Sequence, residues 1–367
     1  MYQPGRTASW SAGLLVLLVA VVLVSAALGP VRIDPVTVAM AALNAVVVPI
    51  GVSVTSSSVT VLGIAIPVLV PAFEYTTVFA FDVDGSHQLI VETIRMPRIA
   101  LAATVGFSLA AAGTVMQGFF RNPLADPSII GVSSGAAAGA VAAIAFPMLV
   151  PFGSIHLSAF VGALVTAFLV YAIATEGGRT PVATLLLAGV AIQAFLGALI
   201  SYMLVHSGDD LRQAVVWMMG HLNNTTWSDV GFALPVALLG VGVLGAYVRE
   251  LNVLLLGEED AHHLGVDVER TKILLLALAS IVTAAGVAVA GVIGFVGLVV
   301  PHIMRLIVGP DHRILLLTSA LAGASFLVAT DTIARAGPAE VPVGIVTAFV
   351  GVPFFLFLLV RREVHSL

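Results

Sequence analysis

The chain has 367 residues, 59% of them hydrophobic and only 10% charged, with a mean hydropathy of +1.11. A soluble domain carries about a quarter charged residues, so this composition describes a polytopic membrane protein. The net charge of −5 without any basic run argues against a nucleic-acid partner, and the absence of cysteine excludes disulfides, thiolate metal sites and cysteine nucleophiles.

A spanning helix needs about 20 apolar residues. The first such run is 10–28, preceded by Arg6. It is longer than the apolar core of a cleaved signal peptide and reads as a retained span. Residues 30–94 hold two shorter apolar runs, 36–48 and 59–73, cut by Pro49, Pro67 and Pro71. They are read as an extracytoplasmic insertion with interfacial or packed helices, in preference to two extra spans. Further spans are predicted at 99–119, 129–146, 157–175, 182–204, 230–247, 273–289, 292–308, 314–328 and 341–360, ten in all. The fold class is therefore an all-α polytopic membrane protein, a single transmembrane domain over 1–367.

Orientation follows from the positive-inside rule. With the N-terminus inside, the cytoplasmic side receives Arg6, Arg121, Arg179, Arg249, Arg270, Lys272, Arg305, Arg313, Arg361 and Arg362. The outside receives Arg32, Arg95, Arg98, Arg212 and Arg335, so the count is ten against five and both termini lie in the cytoplasm. Lys272 is the only lysine among fifteen basic residues. That bias would suit a salt-adapted organism or simply a Lys-poor membrane protein.

Two hydrophilic stretches interrupt the later spans. Residues 249–272 hold nine charges in twenty-four positions and are predicted as two short helices outside the membrane on the cytoplasmic face. Residues 206–229 lie outside, with a short helix expected at 211–219 and accessible sequons at Asn223 and Asn224.

Several motifs bear on chemistry. No GxxxxGK[ST] phosphate loop is present, so the chain does not bind ATP by that motif. Gly131-Val132-Ser133-Ser134-Gly135 matches the nucleophile-elbow pattern, but a proline-broken turn precedes it where an elbow needs a strand. With Gly139 the glycines recur every fourth residue, the spacing of a closely packed helix face. Glu258, Glu259, Asp260, His262 and His263 have metal-ligand chemistry, yet adjacent positions on a helix diverge, and an acid-rich helix start explains them. His302 near Arg305 reads as a structural histidine near a helix end. Arg95, Arg98 and Arg335 admit two readings, snorkelling interface cations or a cationic patch for an acidic partner. A secondary transporter would carry mid-membrane carboxylates, and Asp331 is the nearest candidate.

The segments Ile94-Arg95-Met96-Pro97-Arg98, Asn122-Pro123-Leu124-Ala125-Asp126-Pro127, Gly131-Val132-Ser133-Ser134-Gly135-Ala136, Leu185-Leu186-Leu187-Ala188-Gly189, Trp217-Met218-Met219-Gly220 and Gly294-Phe295-Val296-Gly297-Leu298-Val299-Val300-Pro301-His302 occur in one order. Together they resemble the FecCD family, the permease subunits of type II ABC importers for cobalamin, ferric siderophores and haem. The segments Asp210-Leu211-Arg212-Gln213 and Trp217-Met218-Met219-Gly220 look most like the cobalamin branch.

The resemblance implies a homodimer in the cell membrane, two separate ABC ATPase subunits that hold ATP and Mg2+, and an extracytoplasmic substrate-binding protein. This chain would bind no cofactor or metal and carry no catalytic residue. The resemblance further implies a cytoplasmic gate at Asn122 and Leu124, with a second constriction near Val182 and Ala183. Hydroxyl residues are usual at that second position. Coupling to the ATPase would fall on Leu254, Gly257, Glu258, Ala261, Leu264 and Gly265. Docking of the binding protein would fall on Arg95, Arg98 and Arg335.

Overall fold

A computed structural model describes residues 4–29, 31–61, 64–148, 150, 154–337 and 339–361. In chain order these form α1 (Pro4–Ala27), α2 (Pro35–Asn44), β1 (Val47–Val61), β2 (Ile64–Thr77), α3 (Gly85–Leu89), a π-helical turn (Ile90–Arg95), α4 (Met96–Phe119) and a 3-10 turn (Pro127–Ile130). Next come α5 (Val132–Ala145), α6 (Ile155–Ala174), α7 (Val182–Val205), α8 (Leu211–Met218) and α9 (Trp227–Ala246). Then follow α10 (Val248–Leu254), α11 (Glu258–His263), α12 (Val268–Ala290), α13 (Val296–Val308), α14 (His312–Ala334) and α15 (Val343–Arg361). Among the described residues, seven helices are long and apolar enough to cross a membrane. The shorter apolar helices α5, α13 and α15 fall on the other three predicted spans, and Arg362 lies outside the described residues.

The centre of the bundle is α4, almost every residue of which is buried from Ile99 to Phe119. Its sequence is rich in alanine and glycine, which lets neighbours approach backbone to backbone. A methyl group at Gly113 would lie 1.9 Å from the Gly297 carbonyl oxygen, and one at Gly106 would lie 2.2 Å from that of Gly323. Thus α13 and α14 are seated on α4 at positions where only glycine fits. The same chemistry joins α5 to α6. A methyl group at Gly135 would fall 2.4 Å from the Gly162 oxygen, and one at Gly139 would fall 2.2 Å from that of Ser158. The four-residue glycine spacing around Ser133 and Ser134 is therefore a packing face.

Two of the short helices begin inside the bundle. Following α4, the chain turns through Arg121 at φ 48, and the Asn122 side-chain oxygen accepts from the Leu124 amide at 2.9 Å. Asp126 then caps the 3-10 turn by accepting from the Ser128 amide at 2.8 Å. Gly131, at φ 82, starts α5 beside Thr166, halfway along α6. The second break, 291–295, runs between Gly291 at φ 72 and Phe295 at φ 69. It starts α13 so that Gly297 meets Leu109 halfway along α4, and meets Pro127 and Asp126 of the first break. Irregular backbone at this depth is tolerated because protein, not lipid, surrounds it.

Residues 30–94 depart from the helical expectation. They contain α2, then a long antiparallel hairpin in which Val47 pairs with Thr77 and Val61 with Ile64, and then α3 leading into the π-helical turn. The β1 sequence VVPIGVSVTSSSVTV is dominated by β-branched residues and serine, which favour extended backbone. In a two-stranded ribbon each strand keeps an unpaired edge, so Pro49, Pro67 and Pro71 are accommodated. Proline breaks that argued against spans therefore belong to strands, not to packed helices.

Candidate functional site: the two charged ends of the bundle

The polar groups of the chain gather at opposite ends of the long helices. At one end lie the last turn of α4, the short helices α10 and α11, the start of α12, the 175–181 turn and the start of α14. The two short helices predicted in 249–272 are present. Of the expected coupling residues, Leu254 and Ala261 are buried and Leu264 is exposed. Gly257 and Gly265 adopt φ 128 and φ 83, conformations that favour glycine. Gly257 lets the chain turn between α10 and α11, beside the Arg121 guanidinium of the first break. Leu251 of α10 packs against Gly118, tying this end of α4 to the coupling segment.

Lys272 stands at the middle of this end, 3% exposed. Its ammonium lies 2.7 Å from a Glu258 carboxylate oxygen and 3.2 Å from one of Glu269. It also donates to the Thr180 carbonyl at 3.1 Å. The other Glu269 oxygen accepts from the Thr180 amide at 3.3 Å. Pro181 follows as the cap of α7, so the expected constriction residues Val182 and Ala183 open that helix directly after the tethered turn. Nearby, Asn252 of α10 donates to Asp311 at 2.8 Å and accepts from the His312 amide at 3.0 Å. Hydrogen bonds from the Arg313 side chain hold the Asp311 carboxyl down at about 2.

The expected gate residues sit on the first break. Asn122 is exposed and Leu124 half-buried. The following turn is locked to α7. The Gln193 amide donates to the Ile129 carbonyl at 2.9 Å, and a methyl group at Gly189 would lie 2.4 Å from that oxygen. The two expected constrictions are therefore joined through α7.

At the opposite end, Arg95, Arg98 and Arg335 come together as the sequence suggested, but they face inward. The last four carbonyls of a helix lack intrahelical partners. In α1 these are Val24, Ser25, Ala26 and Ala27. Val24 accepts from the Leu28 amide at 3.0 Å and Ala27 from the Ile33 amide at 3.3 Å. Ser25 accepts from Arg335 at 2.5 Å, and Ala26 accepts from Arg95, which also donates to the Val31 carbonyl. Two arginines from elsewhere in the fold therefore cap α1, where cations also suit the helix dipole. Asp331, 1% exposed, accepts from Arg98 at 2.9 Å and lies 3.4 Å from Arg335. Arg98 alone reaches an exposed group, Glu340, at 3.1 Å.

Sequence reasoning had noticed Asp331, Lys272 and Ser25's helix without assigning them partners. Asp331 stands one helical turn before Arg335, a spacing that signals an ion pair. Lys272 stands out in the sequence by its rarity and by its place in the charged stretch 249–272. Ser133 lines a cavity of about 80 Å³ with Asp126 and Thr283, and its lining includes no histidine or lysine to act as base. His302 is buried, its ring centroid 6.2 Å from that of Phe354. A larger apolar cavity of about 650 Å³ opens beside α8 and α15, lined by Met218, Met219, Val292, Ile345 and Phe349.

The model of the FecCD transport family matches residues 17–361. The chain is 59% identical over 364 residues to the cobalamin import system permease protein of Halobacterium salinarum, covering 99% of this chain and 98% of that protein. It is 46% identical over 281 residues to the hemin transport system permease protein of Yersinia pestis, covering 74% and 83%. Identity to the Fe(3+) dicitrate transport system permease protein of Escherichia coli is 40% over 279 residues, covering 76% and 87%. Among solved structures, a metal-chelate type ABC transporter in an inward-facing conformation aligns with a TM-score of 0.78 at 30% identity, over 96% of this chain and 98% of that one. With the family match running from α1 to α15 and the ten-helix bundle in place, the chain belongs to the FecCD transport family of ABC transporter permeases.

Proposed function

We propose that this permease carries cobalamin across the cell membrane as one half of a homodimeric pathway, with both termini in the cytoplasm. The observation that carries the substrate is the 59% identity over essentially the full length of a cobalamin import permease. Two ABC ATPases, which bind ATP and Mg2+, dock on α10 and α11 around Leu254, Gly257, Glu258, Ala261, Leu264 and Gly265. Their movement reaches Asn122 and Leu124 through Arg121 and Gly118, and reaches Val182 and Ala183 through the 175–181 turn. Alternating access then follows if nucleotide states differ in affinity for the two arrangements.

A substrate-binding protein docks at the arginine end. Arg98 offers the direct cation there, because Glu340 is exposed and a partner carboxylate can replace it. Arg95 and Arg335 act by holding the surface in shape. The second reading, a haem or ferric-citrate permease, is favoured by the relatives at 46% and 40% identity.

The test is uptake by the permease reconstituted in vesicles with its ATPase and binding protein. Labelled cobalamin should accumulate only with ATP, and excess ferric siderophore or haem should not compete. Uptake of haem or siderophore in place of cobalamin would move the assignment to the second reading. In the same vesicles, Asn122→Ala/Leu124→Ala should leak substrate or raise the ATP spent per molecule carried.

A further inference from the structure

We infer that Lys272 is the positioning residue that makes the ATPase-docking helix and the start of α7 move as one piece. This inference rests on the importer reading above and adds a transmission residue to it. An ammonium can meet partners in several directions, and here it donates to Thr180 and Glu269 and forms an ion pair with Glu258, each on a different segment. Glu258 belongs to α11 and lies at 2.7 Å, while Glu269 belongs to the first turn of α12 at 3.2 Å. Thr180 precedes α7, with its carbonyl at 3.1 Å. The turn itself cannot absorb a displacement. Both backbone groups of Thr180 are held, its amide by Glu269 at 3.3 Å, and its hydroxyl contacts Thr175 at 2.8 Å and Tyr171 at 3.1 Å.

The choice of residue supports the same reading. All other basic positions of the chain are arginine. A guanidinium presents its donors in one plane and suits a bidentate carboxylate, not three acceptors arranged around a point. A lysine suits the place where acceptors from three segments surround one point. Glu258 is the weakest-held partner, with 41% of its side chain exposed, so a displacement imposed on α11 enters the cluster there. Burial at Lys272 then passes the displacement on, since pulling away from one carboxylate would weaken the pairing of a charge held inside the protein.

The experiment compares the wild type with Lys272→Met and Glu258→Gln in the full transporter complex in nanodiscs and vesicles. The absence of cysteine allows spin labels at Arg179→Cys and Glu259→Cys, both exposed positions flanking the linkage. With Lys272 present, the label distance should stay narrow and unchanged between nucleotide-free and nucleotide-trapped states. Either variant should broaden it, and should raise the ATP hydrolysed per substrate by about fivefold or more, the low end of typical coupling energies. Lys272→Met could fail to assemble, and Glu258→Gln covers that case because it keeps the Lys272–Glu269 pair. An unchanged distance distribution and wild-type stoichiometry in Glu258→Gln would overturn the inference. A wild-type complex without ATP-driven uptake would count against the importer reading, while the distances would still decide the linkage.

Discussion

The two ends of the bundle solve the same problem, buried cations, in opposite ways. At the arginine end, Arg95 and Arg335 are matched mainly by backbone carbonyls of the α1 terminus, and the shared carboxylate Asp331 is 1% exposed. At the lysine end, Lys272 is matched by two carboxylates whose side chains are 41% and 29% exposed. Backbone acceptors at a helix terminus are fixed by the helix itself. Carboxylates on separate short segments move with those segments, so whatever binds α11 can act on Lys272 through Glu258. The contrast separates an anchor from a linkage that transmits motion, and it places the linkage next to the residues proposed to meet the ATPase.

If the arginine end is an anchor, damage there should cost stability before it costs transport. Asp331→Ala leaves Arg98 and Arg335 without their common carboxylate in a dry site, and should destabilise the fold by about 3–5 kcal/mol. Thermal unfolding in detergent measures this, and an unchanged midpoint would break the distinction between the ends. Arg335→Ala comes next. It strips the Ser25 and Leu28 carbonyls of donors, a loss of about 1–3 kcal/mol. Hydrogen exchange should then rise at 24–33 and stay as it was at 249–272. At the other end, Asn252→Ala removes bonds to Asp311 and His312 and should cost about 1 kcal/mol, near the mean for a hydrogen bond. Faster exchange confined to α10 and the start of α14 is the expected readout.

How far the sequence revealed these ends depends on the range of the interaction involved. Spans were legible because twenty apolar residues are a local property, and so were the short helices of 249–272. The packing role of Gly131, Gly135 and Gly139 was legible because helix period alone puts them on one face. The hairpin was not, since hydropathy cannot separate a β-branched ribbon from a short apolar helix, and prolines were weighed only as helix breakers. Charge counting put Arg95 and Arg335 on one side, and the structure brings them to one end of the bundle. Their partners could not be named, because the carbonyls that accept from them are 64 to 310 positions away in sequence and carry no side-chain signature. Lys272 shows the same limit. Its rarity marked it, but only the fold brings Glu258, Glu269 and Thr180 around it.

The smallest expected effect tests whether the start of α14 belongs with the partly exposed contacts of the lysine end. The Arg313 side chain and the Arg313 and Asn252 hydrogen bonds lower the Asp311 carboxyl from 3.8 to about 2. A carboxylate depressed in the folded state contributes its stability above the unfolded value and loses it as pH falls through the folded one. Between about pH 4 and pH 2, therefore, the wild type should lose a modest increment that Asp311→Asn never had, and the two melting curves should converge below that window. Asp311 is 27% exposed and its partner Arg313 44%, so screening keeps the increment small and added salt should shrink it further. A difference that grows on acidification would mean that Asp311 is held against its charge. The start of α14 would then belong with the buried anchor at the far end, not with the partly exposed carboxylates around Lys272.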